Sequence, residues 1–322
     1  MAAAQTENES GAQDNTTERK TRAAFRENVK KAFAAFKQFV KTKKGKKVIV
    51  SVVLAVAVLA AAIAGFTVAD HQKTAYLEPY QEKYPGVSFP EGIKEEFCEI
   101  YAENPNVAGR IRIADCGYES YAVKGSSSKL PYLDRSNSTD ELDFNTVLYM
   151  PEAACDLEAA YSTADAYLKS GQKVTYSTLF EDYEFNVVGA FYTNRYSSDD
   201  DDYVFPYNVT QQMTPLSFGD YTDRLYHRFL YDTGYRFDYD EDKLLTISVP
   251  SDFMPHFEFV VVCALGAEKR ETAQVNDSVH YPQVWYDEHN MQNPYRFASK
   301  WYPIIYTDDT REVTSRQSKR DY

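Results

Sequence analysis

One run of the chain constrains everything around it. Val48 through Ala69 carries no charged residue. At about 1.5 Å of rise per residue, a helix over residues 48–69 is long enough to cross the hydrocarbon core of a bilayer. Lys41, Lys43, Lys44, Lys46 and Lys47 crowd its N-terminal end, and Asp70 follows it. Basic residues collect on the cytoplasmic side of a span, so this order places the N-terminus in the cytoplasm and the remainder outside. A cleaved signal peptide is the rival reading, with Thr67-Val68-Ala69 as its small-residue site. The run is longer than a usual signal core, so a retained single-pass membrane anchor is expected.

The segments before the span are of two kinds. Residues 1–21 are polar and are expected to be a disordered cytoplasmic tail. Residues 22–47 are basic, with Phe25, Val29, Phe33, Phe36 and Val40 at helical spacing. Such a helix acts as a topology signal or lies on the anionic inner leaflet. Charge reverses at the membrane. Residues 1–69 hold 12 Lys/Arg and 5 Asp/Glu, whereas the rest holds 23 and 43. A region this acidic repels phosphate backbones, which excludes nucleic acid as a partner. The same acidity keeps an exported domain soluble.

All four cysteines, Cys98, Cys116, Cys155 and Cys263, follow the span. None has Cys-x-x-Cys spacing, so no zinc site is expected. Export permits disulfides, but spacing gives no connectivity, and free buried thiols fit equally well. Asp199-Asp-Asp-Asp202 has the carboxylates of a calcium loop without the spaced ligands of an EF-hand, so it reads as an acidic solvated loop. No metal and no cofactor is implied.

Beyond the span, residues 70–90 read as a stalk, with Pro79, Pro85 and Pro90 interrupting any long helix. A helix is expected from Glu91 to Glu103, with Ile93, Phe97, Ile100 and Tyr101 as its apolar stripe. Strand-like runs follow at Val107–Ala114, Ser120–Lys124, Asn145–Met150, Lys173–Leu179, Tyr183–Thr193, Lys243–Val249 and Phe257–Leu265. Helices are expected over Asp156–Ser170 and over Pro215–Tyr231, the latter closed by Thr233-Gly234. Many short strands with two or three helices imply a mainly β, closed or nearly closed barrel over residues 91–266.

Within that region the order of short motifs resembles the class B sortases, the transpeptidases that join surface proteins to the Gram-positive cell wall. Asn104-Pro-Asn-Val-Ala-Gly-Arg-Ile-Arg-Ile113 resembles the family's opening Asn-Pro-Asp-Val-Val-Gly-Trp-Ile-x-Ile. Ala122-Val-Lys-Gly125 resembles Val-Val-Gln-Gly, and Tyr132-Leu-Asp-Arg135 resembles the Phe-Leu-Asp-x-Arg strand. Asn145-Thr-Val-Leu-Tyr149 resembles Asn-Thr-Ile-Ile-Tyr. Leu230-Tyr-Asp-Thr-Gly234 and an acidic turn lead into Leu245-Thr-Ile-Ser248, where the family reads Leu-Thr-Leu-Ser-Thr-Cys. The stretch between Gly125 and Tyr132 is shorter than in the family. The resemblance implies a sortase-like β-barrel on the outer face of a Gram-positive cell membrane.

It also implies three catalytic groups, and this chain departs from the family at each. The family's cysteine attacks a sorting-signal carbonyl, a histidine moves protons, and an arginine steadies the developing oxyanion. Pro250 stands at the cysteine position, Pro151 at the histidine position and Glu258 at the arginine position. Proline offers neither nucleophile nor acid–base group, and glutamate repels an oxyanion. No Cys or His lies between Leu245 and Pro255 to rescue the site by a shift. The expected protein is therefore a sortase-like pseudoenzyme that binds a sorting-signal peptide, a pilin-like protein or an active sortase.

Two alternatives stand beside it. One is an active cysteine transpeptidase or peptidase with a relocated Cys155–His256 dyad, set against a buried thiol and a loop histidine. The other is a purely structural envelope protein. Residues 267–322 have no counterpart in a minimal sortase domain. Their aromatics, Trp285 and Trp301 among them, are expected to pack on the barrel or to anchor a partner. Cys263 is expected to pack in the core.

Overall fold

The computed structural model describes residues 75–151 and 156–307. The polar tail, the basic helix and the membrane span expected over residues 1–69 lie outside the described residues, as does Cys155. Among the described residues no helix is long and apolar enough to cross a membrane.

In chain order the elements are α1 (Glu78–Lys83), α2 (Glu95–Glu103), β1 (Val107–Ile113), β2 (Tyr118–Lys124), β3 (Tyr132–Leu133), β4 (Asn145–Tyr149), α3 (Leu157–Tyr161), α4 (Ala164–Lys169), β5 (Lys173–Thr178), β6 (Asp182–Asn194), α5 (Pro215–Arg228), β7 (Tyr231–Asp232), β8 (Leu244–Ser251), β9 (Phe257–Leu265), β10 (Gln274–Val275) and α6 (Gln283–Glu288). Eight strands close a barrel in the order β1-β2-β3-β4-β8-β9-β6-β5. Its ladders are antiparallel except β2/β3 and β4/β8. The mainly β barrel with helical insertions is thus present. β7 and β10 form a separate two-stranded sheet that the sequence pattern did not reveal.

The richest apolar run, β9, is buried on both faces. Phe257, Phe259, Val261 and Cys263 point into the barrel core, beside Ile111, Leu148, Val174 and Ile247. Val260, Val262 and Ala264 point the other way, into a second core under helix α5 that contains Phe218, Tyr221 and Leu225. A strand covered on both sides reads as continuous hydrophobicity rather than alternation. Cys263 is buried in the core as expected.

β6 shows how one residue changes this pattern. Phe185 and Val187 face the barrel core, and so do Ala190 and Tyr192. Odd-numbered residues become even-numbered ones because the β6/β9 register shifts between Val187 and Gly189. An extra residue on one strand flips the faces that follow it. Glycine is needed at the bulge, since a Cβ on Gly189 would lie 2.6 Å from the Phe229 ring.

Three expectations are corrected by local chemistry. The helix over Asp156–Ser170 is two helices, because Thr163 starts a second one by accepting a hydrogen bond from the Ala166 amide. Helix α5 starts at Pro215, with Thr214 as its cap, but ends at Arg228 rather than Tyr231. Phe229 turns extended to fill the space over Gly189, and the Leu230 amide bonds the Ala190 carbonyl. The helix before β1 starts at Glu95 rather than Glu91.

In place of the expected stalk, the described part of residues 70–90 packs on α2. Leu77 is buried there with Ile93 and Phe97, while Tyr80 and Phe89 are half-buried against the same cluster. Cys98 and Cys263 are free and buried, and Cys116 is disulfide-bonded.

Candidate functional site

The antiparallel β8/β9 ladder sets Pro250 directly opposite Glu258. Parallel pairing sets Tyr149 of β4 beside Ser248 of β8, and the Met150 amide bonds the Ser248 carbonyl at 2.8 Å. Pro151 follows at once. Pro151, Pro250 and Glu258 therefore lie at one end of the barrel. Pro250 sits beyond the last β4/β8 pair, where β8 has a local edge and a missing amide N–H leaves no ladder bond unmade on that side.

Around this end the side chains form a connected polar chain. The Ser248 hydroxyl donates to Glu258 Oε2 at 2.6 Å. The Tyr207 hydroxyl lies 3.0 Å from Ser248 Oγ, which it donates to when Ser248 faces Glu258. From the far side, Arg195 Nε and Nη2 both reach Glu258 Oε1 at 2.8 Å. Glu258 is only 14 % exposed while Arg195 is 42 % exposed, so the carboxylate is inside and its counter-charge stands at the mouth. Burial, then the Glu258 charge, push the Tyr207 phenol upward, which keeps it a hydrogen-bond donor.

These groups line a cavity of about 620 Å³, within the range of ligand sites. Its opposite wall is aromatic. Tyr132 and Tyr149 pack with ring centres 5.2 Å apart. The Tyr149 hydroxyl donates to Asp134 at 2.9 Å and accepts from Asn208 at 2.9 Å. Phe205, Pro206 and Tyr207 supply a third side from the loop after β6. Neither Cys nor His occurs among the described residues that line it.

The chain is similar to solved sortase B structures. Sortase B from B. anthracis in complex with AAEK2 is 18 % identical, over 59 % of this chain and 93 % of that one, with a TM-score of 0.46. A Staphylococcus aureus sortase B–substrate complex is 15 % identical, over 63 % of this chain and 96 % of that one, with a TM-score of 0.46. Clostridium perfringens sortase B is 15 % identical, over 52 % and 98 %, with a TM-score of 0.45. No family model and no curated protein matches the chain.

The remaining candidates from the sequence fall elsewhere. His256 is outside the cavity, in a tight turn with φ of 65°. Its ring meets the edge of Tyr196 and lies 3.9 Å from Asp199. Cys155, its supposed partner, is outside the described residues. Trp301 is 5 % exposed, packed between Phe205 and Tyr221. That burial leaves it no face to offer a partner. Trp285 is half-buried, in a stack that runs from Phe253 through Tyr281 to Trp285 and His289.

The acidic loop at 199–202 serves as an anchor for the C-terminal segment. Asp200 accepts from the Gln283 amide at 2.8 Å, and Asp201 pairs with Arg296 at 3.0 Å. No group of His, Cys, Asp and Glu among the described residues has the arrangement of a metal site.

Arg195 and Tyr207 were missed by sequence reasoning. A signal for Arg195 did exist, in a cation ending an apolar strand. Using it requires knowing that β6 lies beside β9, and strand order is not written in local patterns.

Proposed function

We propose that this protein is a membrane-anchored, extracytoplasmic sortase-like binding protein, which holds an extended polypeptide at the barrel end without transpeptidation. One observation carries the reading. The place where the resemblance asks for a nucleophile and an oxyanion-stabilising cation holds Pro250 facing Glu258, and Glu258 is tied to Ser248 and Arg195. A carboxylate held there opposes the negative charge of an acyl-transfer intermediate. Ser248 does not substitute as nucleophile, being 1 % exposed with its proton committed to Glu258.

What remains suits binding. Arg195 stands half-exposed at the mouth, and the Tyr132–Tyr149 wall offers apolar faces with polar tips. An extended peptide can lay carbonyl oxygens toward Arg195 and side chains against the tyrosines. The anchor before residue 70 keeps the domain at the cell surface, where sorting-signal peptides, pilin-like proteins and active sortases are the available partners.

The test uses a fluorescent sorting-signal peptide and the purified protein. Anisotropy should show reversible binding that weakens in Arg195→Ala and Tyr149→Ala, and mass spectrometry should find no covalent adduct. A thioester adduct abolished by Cys155→Ala would overturn this reading in favour of a rebuilt active site.

A further inference from the structure

A second cavity lies between helix α5 and the C-terminal segment 280–300. We propose that it binds a phosphate-class oxyanion that clips this segment to the helix. The inference shares the Phe205 ring with the Ser248–Glu258 cavity and none of that cavity's polar groups.

The first observation is a cation that no carboxylate of the described residues contacts. The Arg228 guanidinium lies over the Phe205 ring at 4.2 Å and donates one hydrogen bond, to the Arg224 carbonyl at 3.1 Å. No carboxylate of the described residues pairs with it. Burial lowers its pKa, and the nearby Tyr203 and Asp200, neither of them hydrogen-bonded to it, offset this only in part. Such a group is costly until an anion arrives, and a guanidinium fork is suited to oxyanions.

The second is the company it keeps. Arg224, His227 and Arg228 fall on one helix face at i, i+3 and i+4. Arg224 touches its only carboxylate, Asp220, at 4.0 Å, the limit of an ion pair. Across the cavity the His280 ring stacks on His227, with centres 4.7 Å apart and planes within 5°. The His280 amide also bonds the His227 carbonyl at 2.9 Å. Ser299 and Ala298 complete a space of about 260 Å³.

The opposing charges are accounted for. On α5, Asp223 lies 3.7 Å from His227. From the loop after β6, Asp201 is taken by Arg296, and Asp200 accepts from the Gln283 amide, its carboxyl pushed upward by burial. Lys300 spends its ammonium on the Asp201 carbonyl oxygen. Tyr203 donates its hydroxyl to the Trp301 carbonyl, and Tyr295 stacks on His280. The cavity is thus faced by Arg228, Arg224 and the two imidazoles, with Asp223 beside His227 as the one carboxylate among the lining residues.

Their placement selects the ligand. Donors come from the helix on one side and from the chain at 280 and 299 on the other. A planar carboxylate satisfies one fork, whereas a tetrahedral oxyanion accepts from both sides. Burial, then His227 and Arg228, hold His280 down to about 4, so in the empty site its ring is neutral at physiological pH. A bound anion favours the imidazolium, and binding should take up protons and tighten as pH falls.

The experiment titrates inorganic phosphate into the full chain in detergent by calorimetry, near pH 6 and near pH 8. Expected is one saturable site, about tenfold weaker in Arg228→Met and in Arg224→Gln; the pH comparison is read with sulfate, whose charge does not change over this range and which should bind more tightly at the lower pH. The second variant guards against misfolding, since Arg224 is partly exposed. Acetate should bind at least about tenfold more weakly than phosphate. A glycerol phosphodiester run in parallel separates sources: binding as tight as phosphate assigns a phosphodiester polymer, and weaker binding assigns the free ion. Failure to saturate, equal binding of acetate, or unchanged affinity in Arg224→Gln in a folded protein would each overturn the proposal. Peptide binding at the other cavity is read separately, so the two proposals fail independently.

Discussion

Trp301→Ala is the sharpest test of how the C-terminal segment is held. Trp301 is 5 % exposed, with ring centres 6.1 Å from Phe205 and 5.5 Å from Tyr221, and its carbonyl accepts from Tyr203. Truncating a buried tryptophan costs about 3–5 kcal/mol when the surroundings stay in place. Here the surroundings can respond. Tyr302 and Ile304 next to it are well exposed, and the rest of the segment is held by polar contacts: the backbone bonds around the Met213–Ile305 bridge, the Ile304 amide to Ser217, and Arg296 and Lys300 on Asp201. Once the tryptophan is gone, detachment caps the loss, which puts the expected value near the lower end, about 3 kcal/mol. At about 2–4 °C per kcal/mol for a domain of this size, the midpoint should fall by roughly 6–12 °C. Chemical denaturation gives the free energy, and hydrogen exchange gives the location. Amides of residues 294–306 should exchange faster than those of β8 and β9. A loss below about 1 kcal/mol, as for an ordinary surface substitution, would show that Trp301 is not the anchor and refute the reasoning.

Further outcomes follow from the same contacts. Gly109→Ala should destabilise by at least about 1–3 kcal/mol, because its Cβ would press on the Ser177 carbonyl oxygen and the Tyr176 ring; urea unfolding of the folded fraction measures it. Arg195→Ala should cost about 1–2 kcal/mol by leaving the enclosed Glu258 carboxylate without its cation, and Arg195→Lys should restore part of this. Cys263 should resist alkylation in the native protein and react on unfolding, since it is fully buried and burial pushes its thiol upward. His280 is held down to about 4 from an ordinary 6.5. Between those values the unfolded chain binds the extra proton, so in phosphate-free buffer stability should fall as pH drops through that window, and His280→Gln should flatten the slope.

How much of this was legible depends on the kind of burial. β9 was readable to the residue because both of its faces are covered, which leaves an unbroken apolar run. β6 was readable as a strand, but its bulge was not. Gly189 looks like any glycine until Phe229 is known to lie against it. The end of α5 was misplaced for the same reason: local propensity continues through Leu230, and tertiary packing of Phe229 stops it. At the cavity, Pro250 and Glu258 were easy to single out because they sit near the ends of two strong apolar strands, β8 and β9. Arg195 and Tyr207 arrive from a neighbouring strand and a loop, and no local signal places a side chain across a barrel. The use of Asp200 and Asp201 as anchors was equally hidden, since their partners lie far along the chain.

The parallel seam between β4 and β8 has a consequence in time. Leu148 lies beside Ile247, so roughly a hundred residues separate the two strands in the chain. Closing a flexible loop of that length costs about 4 kcal/mol in entropy before any contact repays it. Antiparallel neighbours such as β5 and β6 face almost no such delay. During synthesis β4 therefore emerges long before its partner and keeps one edge unpaired until residues 244–251 appear. Ser248 and the ladder that carries Glu258 come with that last partner. The cavity is consequently a late product of folding, and mutations that slow the closing of this seam will lengthen the interval in which an apolar edge is open to other chains.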